Sequence, residues 1–209
     1  MIDPGTEHPS WVSPPPGWLY GNWMQTHTSE RAHLSLRNAQ LDLSPVFPQS
    51  AETPGLLNDL TTAQIGNSPA LHAIYVIDTP LRSINESFGP KWDDTFQGVG
   101  VGGAAGFNLT WAIVAWGYDT IGVGYFVIYE HSPPNSAFDI FSRSDGGPSP
   151  ETLRSIDEAM RKLGDQQLSQ IIDRIVPMVQ NGARRGSPPF QCDATCINDK
   201  EGCRAIGIC

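Results

Sequence analysis

The feature that most constrains this chain is a succession of short strand-like segments between Tyr20 and Arg143, with helical periodicity confined to the residues that follow. These segments are rich in β-branched and aromatic residues and are separated by turn-forming residues, which suits a chain with 21 Gly and 18 Pro. The predicted strands begin near Tyr20 and continue at 36–43, 60–65, 70–77, 107–116, 123–130 and 138–143. This pattern predicts an all-β-dominated fold, an antiparallel meander or barrel rather than a parallel α/β sheet.

Two helices are predicted after the strands. Ser149 can cap the first helix, Pro150 suits its first position, and apolar residues recur at helical spacing up to residue 163. A second apolar stripe follows Gly164 and should end at Pro177, because proline cannot continue a helix. Both stripes predict helices that pack on the barrel. The chain therefore divides into a Pro-rich arm, a barrel, a helical segment and a Cys-rich tail, at residues 1–17, 18–146, 147–182 and 183–209.

The charge balance limits the choice of partners. The net charge is −9 and the isoelectric point is near 4.8, so the basic surface that nucleic acids and anionic membranes require is missing. No uninterrupted apolar run is long enough to predict a membrane-spanning helix. The expected partner is an apolar small molecule, as ligand or substrate, and a homo-oligomer stays open.

The compartment is left open by conflicting signals. The stretch after Met1 lacks the basic and apolar regions of a signal peptide, which favours a cytoplasmic protein. Glycosylation sequons at Asn85 and Asn108 leave the secretory route open. So does the tail, where four cysteines are spaced C-x3-C-x6-C-x5-C and could form two disulfides or remain free thiols: Cys192, Cys196, Cys203 and Cys209. That spacing lacks the paired knuckles of a structural zinc site, so no metal is predicted.

Motifs for cofactor or nucleophile chemistry are weak. The glycines between Gly98 and Gly106 lack the strand–loop–helix context of a dinucleotide site and predict a hairpin loop or a flap at the barrel mouth. No nucleophile elbow and no metal-binding histidine spacing is present, so no cofactor is expected. Neighbouring carboxylates are found at Asp93 and Asp94, on a predicted loop, and the core is expected to hold few acids.

The aromatic residues carry the stronger signal. They are distributed over nearly every predicted strand, where they either fill the core or line a cavity for an apolar ligand. The ligand-binding candidates are Trp23, Tyr75, Trp92, Trp111, Trp116 and Tyr125. Strand alternation places Gln25 and His27 on the same face as Trp23, and with Tyr129 they are the candidate catalytic residues. A register shift of one residue would reverse each of these assignments.

Several short motifs, in order, resemble the lipocalin-like proteins of filamentous fungi between about Gly17 and Asn181. They are Gly21-Asn22-Trp23 with Thr26-His27-Thr28-Ser29, Arg37-Asn38, Ile77-Asp78-Thr79-Pro80, Trp111-x4-Trp116-Gly117, and Asp139-Ile140-Phe141-Ser142-Arg143 before the helix start at Pro150. The resemblance implies an up-and-down β-barrel with a central cavity and C-terminal helices. It also implies a cation–π contact between Arg143 and Trp23. The Pro-rich loop at 44–58 and the Cys-rich tail depart from that family.

The resemblance implies a cofactor-independent cyclase or isomerase of the pericyclase type, acting in fungal secondary metabolism. Such chemistry needs a cavity that orders a flexible substrate and one or two hydrogen-bond donors. Two alternatives stay open: a passive carrier of a hydrophobic metabolite, and a secreted interaction protein that uses its Cys-rich tail. A cavity wall with converging polar groups would favour the enzyme, and a uniformly apolar wall would favour the carrier.

Overall fold

Eight antiparallel strands close into a barrel, which confirms the predicted fold class. The computed structural model describes residues 11–15, 17–47, 55–81, 94–132, 135–162, 164–188 and 190–206. The strands are β1 (Gly21–Thr28), β2 (Leu36–Pro45), β3 (Leu57–Ile65), β4 (Leu71–Pro80), β5 (Thr95–Gly100), β6 (Asn108–Tyr118), β7 (Gly124–Ser132) and β8 (Asn135–Ser142). Each strand pairs with the next along the chain, and β1 pairs with both β2 and β8 to close the barrel. Full closure leaves no free sheet edge within these eight strands.

Two helices cover one outer face of the barrel. Helix α1 (Pro150–Arg161) begins as predicted, with the Ser149 side chain accepting a hydrogen bond from the Thr152 N–H. Helix α2 (Gln166–Ile172) ends earlier than predicted, because the chain then extends into a short strand, β9 (Val176–Pro177), that pairs with β1. The helices bury a continuous apolar layer against β7 and β8, formed by Val127, Phe138, Ile140, Ile156, Met160, Ile171 and Ile172. No helix in the described ranges is long and apolar enough to cross a membrane.

The end of the barrel where β1 begins is filled with aromatic side chains, and we call it the closed end. Trp23 is buried beneath the Arg143 guanidinium, whose central carbon lies 3.5 Å from the centre of the indole ring. This is the cation–π contact that the family resemblance implies. The same guanidinium donates hydrogen bonds to the carbonyl oxygens of Trp18, Tyr20 and Asn22. Arg143 therefore joins the segment before β1 to the end of β8.

The Cys-rich tail packs on the opposite, open end of the barrel. Its short helices α3 (Ala194–Ile197) and α4 (Glu201–Ala205) contact β4 and the turn at Gly102–Ala104. A Cβ atom on Gly103 would lie 2.1 Å from the Asp199 carbonyl oxygen, so glycine permits this contact. The segment 97–106, predicted as a hairpin loop or flap, thus forms the end of β5 and a turn held beneath the tail.

A disulfide joins Cys192 to Cys196 in the tail, and Cys203 is also disulfide-bonded. Cys203 is fully buried beside Ile74, Val76 and Ala104, although the sequence pattern places no cysteine in the core. Cys209 lies outside the described residues.

Candidate functional site

A cavity of about 440 Å³ occupies the open-end half of the barrel. Part of its wall is apolar and is formed by Leu36, Ile74, Val76, Phe107, Leu109 and Phe141. The polar part is formed by four acids, Glu30, Asp59, Glu130 and Asp139, and by Gln25, His33, Thr61, Asn108 and Ser136. Ile206 of the tail also lines the cavity, so the tail forms part of its rim. The volume lies within the range of small-molecule sites in proteins.

Strand alternation points three carboxyl groups into this cavity. Asp59 follows inward-facing Leu57 by two residues on β3, and Glu130 follows inward-facing Ile128 by two on β7. Asp139 on β8 precedes inward-facing Phe141 by two residues. The acids therefore continue the same inner face that is apolar closer to the closed end.

Asp139 is the centre of a hydrogen-bonded group in the wall. Its Oδ2 accepts a hydrogen bond from the Gln25 amide at 2.7 Å and lies 3.4 Å from the His33 Nδ1 atom. The Gln25 Nε2 atom is also 3.1 Å from that Nδ1, and the Thr28 hydroxyl lies 3.5 Å from it. His33 comes from the 3-10 helix Arg31–Ser35 at the mouth, so β1, β8 and the mouth segment all contribute to the group.

His33 is held in its charged form by the acids around it. Burial lowers the pKa of the imidazole, but Asp139, Glu130 and Glu30 outweigh it and raise the pKa to about 9. When Nδ1 carries a proton it donates to Asp139, and the Gln25 amide donates to the same carboxylate. When His33 is neutral, Nδ1 can instead accept from the second hydrogen of that amide. Gln25 is therefore compatible with both protonation states.

Two carboxyl groups in the wall, those of Glu130 and Asp59, have raised pKa values. Burial, with repulsion from Asp139, raises the pKa of Glu130 to about 8, although the charge of His33 acts in the opposite direction. Burial, with repulsion from Asp78 and Glu130, raises the pKa of Asp59 well above its usual value. The side chains of Asp59 and Glu130 are only partly buried, and both line the cavity. At neutral pH the wall thus contains a protonated carboxyl group on Glu130 that can donate a hydrogen bond, next to the Asp139 carboxyl group, whose Oδ2 atom accepts one from Gln25.

A fourth inward acid lies deeper, on β4. Asp78 is fully buried, and its Oδ1 accepts a hydrogen bond from the Trp111 indole at 3.1 Å. Burial raises the pKa of Asp78 to about 7, although the Trp111 bond acts to lower it. Gly98 on β5 leaves room for this carboxyl group, since a Cβ there would lie 2.8 Å from its oxygen. Trp111 itself stacks on Phe96 with 4.4 Å between ring centres, so it packs in the core and does not line the cavity.

His27, predicted as a catalytic residue, lies outside the cavity, because β1 contains a bulge. Gln25 pairs with Phe141 and His27 with Ile140, so Thr26 is an extra residue in this strand. The alternation is reversed beyond it: Gln25 faces the cavity as predicted, while His27 turns outward, with Nδ1 3.1 Å from the Thr26 hydroxyl. Burial lowers the pKa of His27, which favours its neutral form.

Tyr125 and Tyr129 also lie on the outer surface of the barrel. Both alternate with inward-facing Phe126 and Ile128 on β7 and pack in the apolar layer beneath α1 and α2. The ring centre of Tyr129 is 5.1 Å from that of Phe138. The structure therefore places both tyrosines away from the cavity, because these outward-facing side chains pack against the helices. Their catalytic and ligand-binding roles remain predictions.

Three further predicted ligand-binding residues are away from the cavity. Tyr75 alternates with the inward-facing Ile74 and Val76 and donates its hydroxyl to Asn58. Trp116 and Trp23 lie at the closed end, where both pack against Trp18. Trp92 and the sequon at Asn85 lie outside the described residues.

Sequence reasoning missed His33, Asp59, Glu130 and Asp139, and expected few acids in the core. A signal was present for two of the three acids, because Glu130 and Asp139 sit at alternate positions next to apolar inward residues of the predicted strands 123–130 and 138–143, whereas Asp59 lies just before the strand predicted at 60–65. An acid at such a position is unusual for a packed core. The described part of the chain contains no group of three or more His, Cys, Asp or Glu residues arranged to hold a metal ion.

Fold and cavity together define a lipocalin-type barrel, an architecture that suits the binding of a small molecule in its interior. Among solved structures, H1 crustacyanin from the lobster Homarus americanus is similar, with a TM-score of 0.53 and 15% identity over 79% of this chain and 80% of that one. The possum milk whey lipocalin trichosurin, solved with bound 4-ethylphenol, matches with a TM-score of 0.42 and 11% identity over 75% of this chain and 93% of that one.

One curated protein is similar in sequence. It is the botcinic acid biosynthesis cluster B protein 12 of Botryotinia fuckeliana (strain B05.10), 26% identical over 192 residues, which covers 88% of this chain and 83% of that protein. No protein-family model matches the chain.

Proposed function

We propose that this protein is a cofactor-independent enzyme, a cyclase or isomerase, that acts on a small molecule held inside the barrel. The observation that carries the proposal is the convergence of His33, Asp139 and Glu130 on one cavity next to an apolar wall. A passive carrier needs no such cluster. Burying several acids together lowers the free energy of unfolding, and a catalytic role accounts for that loss whereas passive binding does not.

The chemistry follows from a proton donor and a proton acceptor in the wall. Glu130, with a pKa of about 8, is protonated at neutral pH and can donate a proton or a hydrogen bond to a substrate carbonyl. Asp139, whose Oδ2 atom lies 3.4 Å from the His33 Nδ1 atom, is the group that would accept a proton from another substrate atom. A cyclisation or isomerisation in which one proton enters and one leaves requires no redox partner. The apolar wall would fold a flexible substrate into a reactive conformation.

The similar protein from a botcinic acid biosynthesis cluster supports a place in secondary metabolism. On this proposal the barrel belongs with the fungal lipocalin-like proteins that its motifs resemble. In this proposal Gln25 orients Asp139 and His33 through its side-chain amide. Glu130 is the acid–base candidate in place of His27 and Tyr129.

The test combines genetics with an isomer-sensitive readout. Metabolite extract from a strain that lacks the gene is incubated with purified protein, without added cofactors, and analysed by liquid chromatography and mass spectrometry. We expect a compound to be converted into a product of equal mass and different retention time. Glu130→Gln should lower the rate by about 100-fold or more, as loss of a general acid does. The exposed Glu158→Gln is the matched control, and His27→Gln should retain activity.

Two results would contradict the proposal. A compound that binds and is recovered unchanged would identify a carrier. Conversion that is equally fast with Glu130→Gln would show that the acidic cluster is not the catalytic site.

A further inference from the structure

The Asp139 carboxylate has one oxygen without a partner. Oδ2 is engaged by Gln25 and His33, whereas Oδ1 is buried and has no hydrogen-bond partner among the described residues. The residue itself is 1% exposed and lines the cavity. A buried acceptor without a donor is costly, at about 1–3 kcal/mol, so such an atom in a cavity wall points to a donor on the ligand.

The rest of the polar wall offers little to an anion. Glu30, Asp59 and Glu130 face the cavity with Asp139, and His33 is the one basic side chain among the described lining residues. No lysine or arginine in the described part of the chain lines the cavity. A carboxylate ligand has no hydrogen to donate to the Asp139 Oδ1 atom, whereas a hydroxyl or an ammonium group has one.

The apolar part of the lining selects the rest of the molecule. Ile74, Val76 and Phe141 offer an apolar surface next to the acids, since Val76 pairs with Asp59 and Phe141 follows Asp139 by two residues on β8. A ligand that satisfies both parts of the lining has an apolar body and a small polar head.

We propose that the cavity binds an apolar molecule whose head group donates hydrogen bonds to Asp139, an alcohol or a protonated amine, and that it rejects carboxylates. This inference rests on the site named in the proposed function and specifies the chemical class of its ligand.

The test uses three probes that share one aromatic body: 1-naphthylmethanol, 1-naphthylmethylamine and 1-naphthoic acid. Their dissociation constants for the full chain are measured by calorimetry at pH 7. We expect the alcohol or the amine to bind at least about tenfold more tightly than the carboxylate, a difference of about 1.4 kcal/mol. Asp139→Asn should reduce this preference by a similar factor, because the amide can donate to a carboxylate. Glu158→Gln should leave it unchanged.

Equal affinity for all three probes, or tighter binding of 1-naphthoic acid, would overturn the inference, as would the absence of binding by any probe at millimolar concentration. If Asp139→Asn does not fold, the methyl ether of 1-naphthylmethanol, which has no hydrogen to donate, provides the comparison on the unaltered chain and should bind at least about tenfold more weakly than the alcohol. Probe binding is independent of turnover. Selective binding without isomerisation of any metabolite would overturn the enzyme proposal alone, and isomerisation without selectivity would overturn the ligand class alone.

Discussion

The closed half and the open half of the barrel interior are built from the same strands but have opposite chemistry. The closed half is apolar and tightly packed, with Trp23, Ile113 and Phe126 nearly inaccessible to solvent. The open half holds a cavity lined by acids whose pKa values are raised by burial. Apolar packing stabilises the fold, whereas buried carboxyl groups destabilise it unless they stay protonated. One half therefore carries the stability of the barrel and the other its binding chemistry.

The largest expected effect comes from opening a void in the closed half. Phe126 is fully buried, stacked on Phe141 at 4.8 Å between ring centres and packed edge-on against Trp23. Phe126→Ala should lower the free energy of unfolding by about 3–5 kcal/mol, because it leaves a cavity that the surrounding side chains cannot fill. Chemical denaturation measures this loss. Phe47→Ala is the matched control, since Phe47 is 78% exposed, and a similar loss there would refute the assignment of stability to the closed half.

The open half should make stability depend on pH. Glu130, Asp78 and His33 hold protons in the folded state up to pH values of about 8, 7 and 9, above those at which the unfolded chain releases them. Stability should therefore be greatest in mild acid and fall as the pH rises from about 4 to 9, by up to about 1.4 kcal/mol per pH unit for each such group. Glu130 alone should account for a loss of about 3–4 kcal/mol between pH 5 and pH 8.

Denaturation at several pH values checks this expectation, and Glu130→Gln should make the pH dependence shallower. Glu158→Gln, on the exposed face of α1, should leave the slope unchanged. Stability that rises with pH in this window would show that the acids are ionised in the fold.

The Arg143 contact at the closed end should depend on the shape of the guanidinium and not only on its charge. Arg143→Lys keeps the charge but loses the stacking on Trp23 and the donors to three carbonyl oxygens. We expect the free energy of unfolding to fall by about 2 kcal/mol. Arg174→Lys, on the exposed end of the helical segment, is the control. Equal stability of the two variants would mean that the closed end is held by its aromatic residues alone.

The smallest expected effect concerns the tail over the open half. Gly103→Ala places a Cβ against the Asp199 carbonyl oxygen and should displace the tail, while the barrel loses less than about 1 kcal/mol. Hydrogen exchange at α3 and α4 should become faster, with little change in the strands. At Gly146 a Cβ would lie 3.6 Å from the Ser144 hydroxyl oxygen, an ordinary van der Waals contact, so Gly146→Ala should leave exchange in the tail unchanged.

The barrel could be predicted because its signals are local. Strand periodicity, turn residues and the capped start of α1 each depend on a few neighbouring residues, and the motifs that carry the family resemblance also placed Arg143 over Trp23. The candidate site could not be predicted in the same way. The bulge at Thr26 reverses the facing of His27, and nothing in the sequence near it marks an extra residue. Tyr125 and Tyr129 cannot be told apart from cavity residues until the helices that cover them are known.

The sequence by itself determined the antiparallel arrangement of seven strands, the helical cover and the alternation that directs Glu130 and Asp139 to the interior. Only the tertiary structure showed β5, and only it decided that Asp59, Glu130 and Asp139 meet His33 in one cavity, because β1, β3, β7, β8 and the mouth segment are brought together by barrel closure. It also decided the protonation of Asp59 and Glu130, since the pKa of a carboxyl group rises when burial removes water and places other acids beside it. That change depends on distances between residues far apart in the chain, which local sequence does not contain.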